Sequence, residues 1–246
     1  MIKKRLKQIT IACLTLLVAG YGIFAMRHFS KQQGSAVCQD IEVVLADKSN
    51  DLLITKEYIQ NMVVNSDYNP MGKRVDSINV EAIEMYVEKN KMVRDAEVYL
   101  TNSGKLKVKI AQRIPLYKIM GEGGNFFVDY DGVMIPMQSV YPVKLPIVTG
   151  TIEKEFAANE LREFVLYLQD NPFWSQQIDQ ICVRGREVEL IPKVGNHRIL
   201  MGTLTNVNKK LNRLKKFYRK GLNEVGWNRY SVINLKYDKQ IVCTKR

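Results

Sequence analysis

The chain has 246 residues, 46% of them hydrophobic and 25% charged, with a formal net charge of +12. That apolar content excludes a chain too polar to fold, and the length suits one large domain or two modest ones. Its four cysteines, Cys13, Cys38, Cys182 and Cys243, share no close spacing, which excludes a disulfide framework and a metal knuckle. Buried free thiols are the favoured reading of the cysteines, with a single Cys182–Cys243 bridge kept as the alternative.

The first element is an uncharged, mainly apolar run of 18 residues, Ile9 to Met26. As a helix it would span about 27 Å, close to a hydrocarbon core of about 30 Å. Lys3, Lys4, Arg5 and Lys7 precede it, against Arg27 and Lys31 just after, a bias that predicts an N-terminus in the cytoplasm. The competing reading is a cleaved signal peptide, but no A-x-A site ends the run. Leu17-Val18-Ala19-Gly20 is followed by Tyr21 where a lipoprotein box needs cysteine. The expected division is a cytoplasmic tail over 1–8, a transmembrane helix over 9–26 and a linker over 27–39.

Next, Ile41, Val43 and Leu45 alternate as in a strand. Thr55 can cap a short helix carrying Ile59, Met62 and Val63, and Asn79 a second carrying Val80, Ile83 and Val87. The period then changes to two. Ala96, Val98 and Leu100 alternate, Thr101 to Gly104 make a turn, and Leu106, Val108 and Ile110 alternate with Lys105, Lys107 and Lys109. This predicts a hairpin with one apolar and one cationic face, and a β-α-α-β-β domain over 40–113.

A second domain is expected over 116–244. Phe126–Val128 and Val133–Ile135 flank Asp129-Tyr130-Asp131-Gly132, a hairpin with a D-G turn. A calcium loop starting at Asp129 fails because its twelfth position is Val140. A helix is predicted over 154–169, burying Leu161, Phe164, Val165 and Leu168. Strands are predicted at Ile178–Val183, Glu187–Ile191 and Arg198–Met201. A basic helix over 206–222 carries Val207, Leu211, Leu214, Tyr218 and Leu222 on one stripe. The last strands, Ser231–Tyr237 and Gln240–Thr244, are separated by Asp238-Lys239 alone and read as a tight hairpin.

Several local patterns resemble the bacterial cell-division family FtsQ/DivIB. Leu53-Ile54-Thr55-Lys56-Glu57-Tyr58-Ile59 is similar to that family's entry into the first helix of its POTRA domain. Val93-Arg94-Asp95-Ala96-Glu97-Val98 resembles its entry to the hairpin. Leu106 to Pro115 resembles its "L-x-I-x-V-x-E-R-x-P" exit, with Gln112 in place of Glu. In the second domain the D-x-D-G hairpin, Leu145-Pro146-Ile147-Val148-Thr149-Gly150 and Val232-Ile233-Asn234-Leu235-Lys236-Tyr237 are similar to family segments. The resemblance implies an α+β protein: an N-terminal transmembrane helix, a POTRA domain, then a mainly antiparallel β-domain with flanking helices.

Catalytic chemistry is not legible. There is no G-x-S-x-G, H-E-x-x-H or Walker loop. Acid pairs Glu153/Glu155 and Asp129/Asp131 read as exposed, and His197 reads as part of a hairpin loop. No cofactor, metal, nucleic acid or small-molecule substrate is expected. The cations Lys209, Lys210, Arg213, Lys215, Lys216, Arg219 and Lys220 read first as a solvated face, then as a site for an acidic partner or anionic lipid headgroups, and last as one for nucleic acid.

By resemblance the protein is a non-enzymatic scaffold at the division septum, held in the cytoplasmic (inner) membrane with its bulk extracytoplasmic. Its implied partners are the membrane and FtsB-like and FtsL-like bitopic division proteins. The opposing class is an anchored envelope enzyme or ligand-sensing domain. The resemblance places partner docking on the late strands, at Leu235, Lys236, Tyr237, Gln240, Ile241, Val242, Cys243 and Thr244. The physical argument is that a terminal strand at a sheet edge has an unpaired row of N–H and C=O groups.

Overall fold

The computed structural model describes residues 14–25, 37–46, 54–137 and 144–246. The expected tail 1–8, residues 9–13 and 26 of the expected span, and residues 27–36 of the linker lie outside the described residues. Residues 14–25 form a largely exposed helix, α1. Among the described residues no helix is long and apolar enough to cross a membrane. The chain divides into two units, Met1–Gln112 and Arg113–Arg246.

The first unit runs β1 (Ile41–Leu45), α2 (Lys56–Val64), α3 (Val80–Glu88), β2 (Val93–Leu100) and β3 (Leu106–Gln112). Its helices begin where side chains satisfy free amides. The Tyr58 N–H donates to Thr55 Oγ1 at 3.2 Å and the Ala82 N–H to Asn79 Oδ1 at 3.0 Å, each such cap stabilising by about 1 kcal/mol. Ile59 and Val63 of α2 and Ile83 and Val87 of α3 are buried. They belong to the unit's core with the inward residues of the hairpin, where Ala96 faces Ile110, Val98 faces Val108 and Leu100 faces Leu106. β1 lies parallel to β3, giving the order β1-β3-β2. The lysines of the other face are matched across the sheet. Lys105 reaches Asp40 at 2.9 Å, Lys107 reaches Glu42 at 3.5 Å and Lys109 reaches Glu97 at 3.0 Å. Such exposed pairs add little energy, but Lys107 lies directly opposite Glu42 and Lys109 opposite Glu97, so they favour this register.

The second unit holds a nine-stranded sheet in the order β12-β11-β10-β9-β8-β7-β4-β5-β6. Its strands are β4 (Pro115–Gly121), β5 (Gly124–Asp129), β6 (Met134–Pro136), β7 (Ile147–Thr151), β8 (Ile178–Arg184), β9 (Glu187–Pro192), β10 (Arg198–Gly202), β11 (Tyr230–Asn234) and β12 (Val242–Lys245). Most pairings are antiparallel, but β4–β7, β7–β8 and β10–β11 are parallel. Parallel neighbours cannot be joined by a tight turn, and helices supply two of the crossovers. Between β7 and β8 come α4 (Lys154–Phe156), a wider π turn (Ala157–Leu161), α5 (Arg162–Asp170) and α6 (Pro172–Gln177). Between β10 and β11 come α7 (Val207–Phe217), a second π turn (Tyr218–Leu222) and α8 (Asn223–Val225). Their apolar stripes cover one face of the sheet, burying Phe164, Trp174, Leu214 and Tyr218 against Val148, Ile181, Leu190, Ile199 and Ile233. Gly150 sits where β7 runs closest to β8. Its φ is 112°, and a Cβ there would stand 2.0 Å from the Val183 carbonyl oxygen, so only glycine fits.

One expectation for the D-G hairpin needs correction. Asp129 is not exposed: it is 2% accessible, bonded to Arg113 Nη1 at 2.8 Å and accepting from the N–H groups of Asp131 and Val133. The D-x-D-G turn folds its first carboxylate inward, where the Arg113 guanidinium compensates its burial. Cys182 and Cys243 are both free. Three strands separate β8 from β12, roughly 19 Å at ordinary strand spacing, far beyond a disulfide's reach.

Candidate functional site

The late segment expected to dock a partner is built around β11 and β12. The sequence reading of a two-residue turn does not hold. β11 stops at Asn234 and β12 starts at Val242, with Asn234 opposite Val242, so residues 235–241 form a seven-residue connection. The reason is Leu235. Its side chain is fully buried and its N–H donates to the Leu200 carbonyl at 2.9 Å, which keeps it on the core instead of on a hairpin. Leu235 is therefore removed from the set of side chains that a partner can touch. Lys236 is exposed and paired with Glu187 at 2.5 Å. Tyr237 is 51% exposed and Gln240 is exposed. Ile241 and Cys243 are half-buried against the core, and burial pushes the Cys243 thiol up, away from the reactive thiolate. Val242 and Thr244 are exposed on β12, the terminal strand in the order of its sheet.

The connection is not loose. Arg213 of α7 donates through Nη2 to the Leu235 carbonyl at 3.2 Å and to the Tyr237 carbonyl at 3.0 Å. Asn234 Oδ1 accepts the Lys236 N–H, and Asp238 Oδ1 accepts the Lys239 N–H in a left-handed turn with φ 60° at Lys239. Arg213 thus positions the Tyr237 backbone. Sequence reading placed it among solvated cations and missed this role, since its carbonyl partners lie 22 and 24 residues away.

Lys210 departs from that reading too. It is only 9% exposed, and its ammonium donates to the Met201 and Thr203 carbonyls at 2.9 and 2.8 Å. Burial, with Arg213 and Lys236 nearby, holds its pKa below the usual lysine range. Its place three residues after Val207, beside the apolar stripe, was the signal for an inward turn. Lys210, Lys209, Arg213, Lys236, Tyr237 and Asp238 help line a cavity of about 280 Å³. Of its cations, Lys210, Arg213 and Lys236 hold carbonyls or carboxylates, and among the described residues no nucleophile is paired with a base there.

His197 ends the hairpin connection between β9 and β10, as read from the sequence, and its side chain is buried there at 2% exposure. Nε2 is 2.7 Å from Tyr218 Oη, Trp227 closes the cage, and Nδ1 has no hydrogen-bond partner. Burial pushes its pKa down, and the nearby Arg246 charge adds to that. Beside it, the Arg246 guanidinium donates to the Asn196 carbonyl. These contacts brace the sheet next to β12. Among the described residues no cluster of His, Cys, Asp and Glu could hold a metal ion.

A terminal strand, an exposed aromatic and a connection pinned by an arginine stand together at this end of the sheet. A family model described as FtsQ/DivIB, C-terminal related, matches residues 114–244, more than half of the chain. A model for the POTRA-like domain matches residues 36–111. No curated protein matches the chain. The chain belongs to the FtsQ/DivIB family, whose members are non-enzymatic division proteins, and its domains are those of a division-related scaffold.

Proposed function

We propose that this protein is a membrane-anchored, non-enzymatic scaffold of the divisome that docks FtsB-like and FtsL-like bitopic proteins on the β12 edge. In this reading residues 1–8 are a cytoplasmic tail, 9–26 cross the cytoplasmic membrane, 27–39 are a linker, and the domains 40–113 and 116–244 act outside the cytoplasm at the septum. The observation that carries the reading is that β12 ends its sheet beside an exposed Tyr237 whose backbone is held by Arg213. A partner segment adds as a further strand on Val242–Lys245. About four backbone hydrogen bonds at about 1 kcal/mol net each fall short of the roughly 8 kcal/mol of a micromolar complex. Tyr237 supplies apolar contact, and anchoring both partners in one membrane raises their effective concentration.

The test is co-purification of the FtsB-like partner from membranes with the Tyr237→Ala and Val242→Pro variants, using protease resistance as the folding control. Proline removes a donor and distorts an edge strand. Both folded variants should lose the partner. Wild-type recovery by both would move the docking site elsewhere.

A further inference from the structure

The first unit has an edge of its own, and the chain closes it. β2 ends the β1-β3-β2 sheet. The Val98 N–H donates to Glu84 Oε2 at 2.9 Å, and the Ala96 N–H to Glu88 Oε1 at 3.4 Å. Both carboxylates come from α3, one turn apart on the helix that lies beside β2. Those two amides therefore point away from β3, into the space an added strand would occupy. In an antiparallel ladder the N–H and C=O of a residue point to the same side. Residues 96, 98 and 100 are thus the ones whose amides pair outward, and the two glutamates hold the central amide, Val98, and that of Ala96.

From this geometry we infer that Glu84 and Glu88 are a clasp that keeps β2 from pairing with the β2 of a second copy of this chain. The occupant that the clasp excludes is specified by the strand itself. β2 has eight residues, twice the length of β12. Two β2 strands laid antiparallel about Val98 would place Val98 against Val98, Ala96 against Leu100, and Glu97 against Tyr99. Each Val98 would then exchange both of its backbone bonds with its twin. The apolar residues would stay on the core side, and no two like charges would meet at the centre. A self-matching edge of this length is the pairing that identical chains crowded together reach first. The Glu84 carboxylate sits on the amide at the centre of that pairing, and a charge-assisted bond there must break before a second strand can enter. The inference does not depend on the β12 reading: β2 and its clasp belong wholly to the first unit.

The experiment compares the full chain in detergent micelles with the Glu84→Ala/Glu88→Ala variant, by sedimentation equilibrium over a concentration series. Amide exchange is read at Ala96 and Val98 and, as the folding control, at Val108 and Ile110 of the central strand. The expected result is self-association tightened about tenfold or more, the factor that one unmasked hydrogen bond to a charged group supplies. Protection at Ala96 and Val98 should rise with concentration in the variant alone. A folded variant as monomeric as the wild type overturns the inference, and so does association that leaves those two amides unprotected. If the double variant loses protection at Val108, Glu84→Ala alone is measured against the same outcomes.

Discussion

The two sheets end differently. β2 is a long edge, and Glu84 and Glu88 of the neighbouring helix take two of its outward amides, those of Ala96 and Val98. β12 is a short edge with no such clasp among the described residues; the nearby α7 instead sends Arg213 to carbonyls of the connection before it, and Tyr237 is exposed. The far edge of the larger sheet is blunted by another device, since β6 has three residues and ends at Pro136. The contrast lies in what a neighbouring helix does to each edge. Carboxylates on a neighbouring helix remove donors, whereas an arginine that holds carbonyls fixes the backbone without covering the strand.

The largest effect that would break this comparison comes from Arg213. Arg213→Gln removes two charge-assisted bonds to backbone carbonyls, and such bonds are worth about 1.5–3 kcal/mol each when well shielded and less at this partly exposed site. Partner capture should fall about tenfold, with the second unit still folded by circular dichroism. Capture at the wild-type level would show that Tyr237 needs no such support.

A smaller effect concerns the brace beside β12. Burial lowers the His197 pKa, so the folded state resists protonation and the unfolded chain takes up the proton first. Stability is fully present above the unfolded value of about 6.5 and is lost as pH falls through it toward the folded value. Urea unfolding of the second unit, followed by Trp174 and Trp227 fluorescence, should weaken below that pH. His197→Gln should flatten the dependence while lowering stability at neutral pH. An unchanged slope in that variant would assign the loss to other groups.

The smallest effect should come from Lys209, Lys216 and Lys220, which are exposed. Changing all three to Gln should leave stability within about 0.5 kcal/mol, as exposed charges usually do. Any change in partner binding should fade as salt rises, since screening acts over about 8 Å at physiological ionic strength. A salt-independent loss of capture would make this face part of the dock.

What was legible in the sequence followed local rules. The alternation at Ala96, Val98 and Leu100 marked the hairpin, and Thr55 and Asn79 marked the helix starts, because both signals lie within a few residues of their effect. β4 was not legible. Leu116 and Tyr117 are adjacent and both buried, so the strand has no clean period of two. The inward turns of Asp129, His197 and Lys210 depend on Arg113, Tyr218 and the Met201 carbonyl, 9 to 21 residues away. The late segment was expected as two strands joined by a two-residue turn; β11 and β12 do form strands, but the turn between them was misplaced by Leu235. Its apolar character suits a strand, while its hydrogen bond to Leu200 takes it out of the hairpin.

The strand order also sets a schedule. β12 is synthesised after the eight other strands of its sheet, and its strand partner is β11, which follows α7 and pairs with β10. Until β12 arrives, β11 is the edge of the sheet, and a chain stalled before Val242 would end on a different strand from a finished one. On the docking proposed above, recruitment competence would be tied to completion of the domain.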